Sequence, residues 1–152
     1  MASRAAGAEL AKLRSLLLDT GPAVAFLDGT DPEHQWVTRE LSDFRGQLHT
    51  TTAVISEVMH FVAPRRGGPV LFAEFLRSTK TIVHGWSNLG EISQTVALME
   101  RYWDSQMDYA DATLLLLAEQ ISVFEILTLD RRGFAFFRTP SGRPLQIVRS
   151  VP

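Results

Sequence analysis

Leu16-Leu17-Leu18-Asp19-Thr20-Gly21-Pro22 decides the fold. Three leucines in a row, bounded by turn residues, read as a strand apolar on both faces, as strands of parallel sheets are. Asp19 then stands at the carboxyl end of that strand, where open α/β sheets bind their ligands. Thr20 and Pro22 supply an N-cap and an early-turn proline, so a helix is expected to start at once and run through Leu27.

The pattern extends outward from this strand. Asp31-Pro32 opens a second helix whose face carries Trp36, Val37, Leu41 and Phe44, and a brief strand over 47–50 follows it. Thr51-Thr52 caps a helix over 52–63 with an apolar arc of Val54, Ile55, Val58, Met59, Phe61 and Val62, and Glu57 at its edge. After the Pro64–Gly68 break, Val70, Phe72, Phe75 and Leu76 mark another helix, and 81–84 a short strand. Asn88 and Glu91 resemble a capping box for a long helix with Leu89, Ile92, Val96, Met99 and Trp103 at helical spacing. A further helix runs from Tyr109 to Gln120, and a strand from Phe124 to Leu129. Residues 134–137 and 145–148 are expected to form a terminal hairpin or one edge strand. Strands alternating with helices predict an α/β/α sandwich around a mostly parallel sheet, with right-handed crossovers placing helices on both faces.

That fold gathers acids. Asp19 and Asp130 each close an apolar strand and share the sheet's carboxyl edge. Asp108 and Asp111, three apart at a helix N-terminus, share a face aimed at that edge, and Glu57 is directed there too. Each also has an ordinary structural role: Asp108 as an N-cap, Asp111 at a helix dipole, Glu57 paired with Arg65 or Arg66, Asp130 as a turn acid. Together they repel one another unless a cation neutralises them. An oxygen-only donor set points to Mg²⁺ or Mn²⁺ rather than zinc. Such a site suits phosphodiester cleavage by an activated water.

Composition narrows the field. The 152 residues, 45% hydrophobic, make one domain with a real core, and 1–14 read as a leader before a domain over 15–152. No apolar run spans a bilayer and none resembles a secretion signal. Without cysteine there are no disulfides or thiolate zinc sites, so a cytoplasmic setting is expected. A net charge of −2 advertises no global affinity for nucleic acid, although thirteen of the fifteen basic residues are arginine. Arg65, Arg66, Arg131 and Arg132 flank the expected groove and are the candidates for contact with a phosphate backbone. His34, His49, His60 and His84 are scattered without metal spacing, and His60 alone lies near an acid. Trp36 and Trp103 read as core.

Four stretches carry a family resemblance: Asp19-Thr20, Ile55-Ser56-Glu57-Val58, Tyr109-Ala110-Asp111-Ala112, and Leu127 to Phe134 with Thr128 and Asp130. In order and spacing they resemble the PIN-domain ribonucleases, in particular the VapC-type toxins of bacterial toxin–antitoxin modules, from about Ser15 to Phe137. The resemblance implies a PIN-like fold and Mg²⁺- or Mn²⁺-dependent cleavage of RNA. It makes Asp19, Glu57, Asp111 and Asp130 the metal-binding, water-activating quartet, with Thr20, Thr128 and Asp108 in support. It also implies a homodimer and an antitoxin partner. Two departures stand out: a longer leader before Asp19, and Arg-Arg-Gly-Phe after Asp130, without the second acid that some members carry.

Leu-Leu-Asp-Thr-Gly also mimics an aspartic protease signature, but that fold is almost wholly β and the helical periodicities oppose it. A haloacid-dehalogenase-type phosphatase would need an acid where Gly21 stands. The remaining alternatives are a PIN-like scaffold that binds RNA or protein without cutting, and an orphan PIN nuclease in RNA processing.

Overall fold

The computed structural model describes residues 13–149. Its strands are β1 (Arg14–Leu18), β2 (Gly46–Thr51), β3 (Ile82–His84), β4 (Glu125–Leu127) and β5 (Gln146–Ile147). Its helices are α1 (Thr20–Leu27), α2 (His34–Asp43), α3 (Thr52–Val62), α4 (Gly68–Ser78), α5 (Leu89–Arg101), α6 (Tyr109–Ile121) and α7 (Arg131–Phe136), with a 3-10 turn at Trp103–Ser105. The leader expected over 1–14 lies, up to Lys12, outside the described residues; Arg14 already belongs to β1.

All strand pairings within the five-stranded sheet are parallel, in the order β3-β2-β1-β4-β5. The chain winds outward from β1 through β2 to β3, then returns to the other side of β1 with β4. Right-handed crossovers therefore put α1–α4 on one face and α5–α6 on the other. The direction of winding reverses between β1 and β4, the crevice where doubly wound sheets hold ligands.

The leucine run behaves as its composition dictates: Leu16, Leu17 and Leu18 are all buried. Helix α6 is covered along most of its length, with Ala112 to Ala118 buried. Thr51 and Thr113 join hydroxyls at 2.8 Å, and the Thr50 hydroxyl donates to Leu18 O at 2.8 Å. These buried hydroxyls lock β2 to α6 and to β1, because none of them can be left unpaired in the core. Among the described residues no helix is long and apolar enough to cross a membrane.

Several local expectations are corrected. Asp19 itself, not Thr20, is the N-cap of α1. Asp31-Pro32 forms a turn rather than the start of α2, since Asp31 uses its carboxylate to accept from Glu33 N at 2.8 Å. Phe61 and Val70 face outward on α3 and α4. On α5 the inward stripe is Thr95 and Leu98, continuing to Tyr102, because α6 is its principal neighbour and covers only a narrow band. Leu89, Val96 and Trp103, which lie about 100° round from that stripe, are exposed; Trp103 is 73% accessible and no part of the core. No terminal hairpin forms: residues 131–136 are the helix α7, and 146–147 are the edge strand β5.

Candidate metal and nucleic-acid site

Each acid reaches the sheet's carboxyl edge by a different local device. Asp19 follows β1 directly. Its Oδ1 accepts from Thr20 N at 2.8 Å and its Oδ2 from the Thr128 hydroxyl at 2.6 Å, while its own amide donates to Leu127 O. Thr128 follows β4, so this bond clamps the ends of the two central strands together. The Thr128 hydroxyl oxygen also accepts from Asp130 N at 3.0 Å and fixes the backbone of the next acid. Glu57 projects from α3, its Oε2 accepting from the Thr20 hydroxyl at 2.6 Å. Asp108 and Asp111 form a reciprocal capping box at the start of α6: Asp111 N donates to Asp108 Oδ1 at 2.8 Å, and Asp108 N to Asp111 Oδ2 at 3.3 Å.

The electrostatics show how near these groups stand. Burial pushes the Asp19 carboxyl up to about 6, and the charges of Asp108 and Glu57 add to the rise against the two hydrogen bonds that oppose it. Asp111 is pushed up to about 8, chiefly by burial and then by the charges of Asp108 and Asp19. Glu57 is raised by burial and by Asp108, against its bond from Thr20. Among the described residues no ion pair reaches any of these acids; the four ion pairs are Arg14–Glu125, Arg65–Asp28, Arg77–Glu74 and Arg131–Glu33.

Asp130 is exposed, and its Oδ1 accepts from Gly133 N at 3.0 Å to cap α7. It shares with Asp111 a cavity of about 630 Å³. On the other side, Glu57 and Asp108 share an open cleft with Ser56, His60 and Tyr109. Asp19 and Asp108 thus neighbour each other and both Glu57 and Asp111, and Asp130 meets Asp111 at the first cavity. They do not form a closed cage: among the described residues no three acid or histidine side chains converge tightly enough to ring one ion. The fit to a divalent cation lies in the donor chemistry, which is all oxygen, and in crowded carboxyls that have, among the described residues, no cationic partner.

The arginines divide. Arg132 lines the cavity of Asp111 and Asp130. Arg131 lies over the Trp36 ring at 4.8 Å and reaches Glu33 at 3.5 Å. Arg65 bonds Asp28 at 2.9 Å, and both Arg65 and Arg66 line a separate cleft that adjoins Glu57's only through Phe61.

Sequence reasoning missed two features. Ser105, Gln106 and Phe136 also line the cavity of Asp111 and Asp130, and nothing in their local sequence marks them. His49 and His84 meet with ring nitrogens 3.0 Å apart, a contact made by the β2–β3 register and hidden by 35 residues of separation.

Residues 16–140 match the family described as PIN domain. Ribonuclease VapC26 of Mycobacterium tuberculosis is 29% identical over 135 residues, covering 88% of this chain and 99% of that protein. The chain is also similar in fold to the crystal structure of Mycobacterium tuberculosis VapC20, described as a sarcin–ricin loop cleaving toxin. There the TM-score is 0.69 at 18% identity, covering 80% of this chain and 95% of that one.

Proposed function

Because the chain belongs to the PIN-domain family, we propose that it is a divalent-metal-dependent endoribonuclease acting as the toxin of a type II toxin–antitoxin module. The observation that carries the reading is Asp19, 6% exposed at the β1–β4 crevice, beside Glu57, Asp108 and Asp111 with, among the described residues, no cation paired to any of them. A scaffold without chemistry has no use for such an arrangement, which lowers stability.

Asp19, Glu57, Asp111 and Asp130 would hold Mg²⁺ or Mn²⁺, with Asp108 beside them. When bound, the ion supplies a water of lowered pKa and charge stabilisation at the phosphate. The chain's own contribution is aim. Thr128 fixes Asp19, Thr20 fixes Glu57, and the capping box fixes Asp111 against Asp108. Arg132 stands where an RNA phosphate can reach it, and Arg65, Arg66 and Arg131 are candidates for contacts farther along the strand. Partners on this reading are an RNA substrate, an antitoxin protein and a second copy of the chain.

The test is cleavage of single-stranded and stem-loop RNA by the purified protein with Mg²⁺ or Mn²⁺ added. Asp19→Asn and Asp130→Asn should abolish cutting with the fold intact by circular dichroism, and EDTA should do the same. Cleavage that survives both substitutions and the chelator overturns the proposal.

A further inference from the structure

The cavity beside Asp111 and Asp130 has a wall that the acids do not explain. Phe136 is 59% exposed in it, whereas Phe134 and Phe137 are buried. The cause is helical: on α7 residues 134 and 137 fall on one face and 136 on another. The Phe136 ring meets Tyr102 edge-on, centroids 5.6 Å apart, and lies tilted against Phe137 at 6.4 Å. Gln106, a non-glycine residue held at φ 53°, also lines the cavity. Such backbone costs free energy and persists where the surroundings impose it. The Gln106 backbone N–H donates to Trp103 O at 3.0 Å, but among the described residues its side-chain carboxamide makes no hydrogen bond within the protein and Arg132 makes no ion pair.

We propose that this cavity seats one unpaired nucleotide of the RNA substrate, adjacent to the bond that is cut. The proposal rests on the nuclease reading above. An apolar ring stacks any base, a carboxamide offers both donor and acceptor to a base edge, and a free guanidinium takes the neighbouring phosphate. The volume of about 630 Å³ is within the range of small-ligand sites. Polarity decides which part of the nucleotide lies where: the ion that Asp111 and Asp130 would hold draws the phosphate being cut to the acidic side, and the apolar wall is left to the neutral base. The base therefore lies against Phe136 with Gln106 at its edge, and the neighbouring phosphate stays at the rim near Arg132. Recognition by a splayed, stacked base also fits the way proteins read single-stranded RNA.

The experiment uses short single-stranded RNAs carrying 2-aminopurine at successive positions, bound to Asp19→Asn protein so that nothing is cut. Stacking on Phe136 should quench the probe at one position. Phe136→Tyr should keep the quenching, and Phe136→Leu, which keeps apolar bulk against Tyr102, should lose it. In the otherwise unmodified chain, Phe136→Leu should raise KM for cleavage about tenfold, a loss in the range of one stacked base, with kcat within about twofold. Quenching and KM unchanged in Phe136→Leu overturn the proposal. Absence of any cleavage by the unmodified chain overturns the nuclease reading instead, and quenching alone then decides whether the cavity takes a base.

Discussion

Thr20 donates its hydroxyl to Oε2 of Glu57 at 2.6 Å, joining residues 37 apart in the chain. The bond links the first residue of α1 to α3 and aims the glutamate at the carboxyl edge of the sheet. It also opposes the rise in the Glu57 pKa caused by burial and by Asp108. Thr20→Val removes the donor at nearly constant volume. Cleavage should fall about 10–100-fold, as when a partner orienting a metal-binding group is lost. Measured metal affinity should fall with it, while melting temperature changes little.

The raised carboxyls make the metal-free protein sensitive to alkali. Folding lifts Asp19 to about 6 and Asp111 to about 8, above their unfolded values near 4. The folded chain therefore keeps protons that the unfolded chain gives up. The resulting stability is complete below about pH 4 and is lost as pH rises through 6 and then 8. Asp19→Asn should accordingly stabilise the metal-free protein at pH 8 by on the order of 2 kcal/mol and by much less at pH 4. Urea denaturation at the two pH values checks this. Mg²⁺ or Mn²⁺ affinity of the unmodified chain should rise across the same interval, because binding must displace those protons.

Gly133 answers a spatial demand rather than a conformational one. A Cβ there would collide with the carboxylate of Asp130, which caps the same helix. Gly133→Ala should push that carboxylate aside and cut activity by an order of magnitude or more, as small displacements in a site do. Since Asp130 lies at the exposed end of a short helix, melting temperature should move by only a few degrees. Equal losses of activity and of folded protein would contradict this account.

His49 and His84 set an acid limit. Burial lowers both pKa values, and the His84 charge lowers that of His49 further. The folded chain thus binds fewer protons here than the unfolded one, so the stability contributed is full above about pH 6.5 and is lost below it. His84→Gln should flatten the loss of melting temperature between pH 7 and 5. Comparing the two proteins at each pH cancels the opposite trend of Asp19 and Asp111.

Much of this was readable where a short stretch determines its own structure. The triple leucine forces a buried strand, Asp108 and Asp111 write a capping box, and Thr51 caps α3 through Val54 N. Acids at strand ends followed from those assignments. Misreadings arose where distant chain decides. Trp103 has the helical spacing of a core residue, yet the narrow contact of α5 with α6 leaves it outside. Phe134 to Phe137 is aromatic enough for a strand, but Asp130 caps the segment as a helix and so turns Phe136 toward the acids. The histidine contact depends on a register between β2 and β3 that no local pattern encodes.

The order β3-β2-β1-β4-β5 has a temporal consequence. During synthesis β1 emerges early, but its second neighbour β4 comes more than a hundred residues later, together with Thr128 and Asp130. Until then Asp19 lacks both the hydroxyl that aims it and the last acid of its group. The nascent polypeptide therefore carries no assembled acidic centre until nearly all of the described fold has been translated.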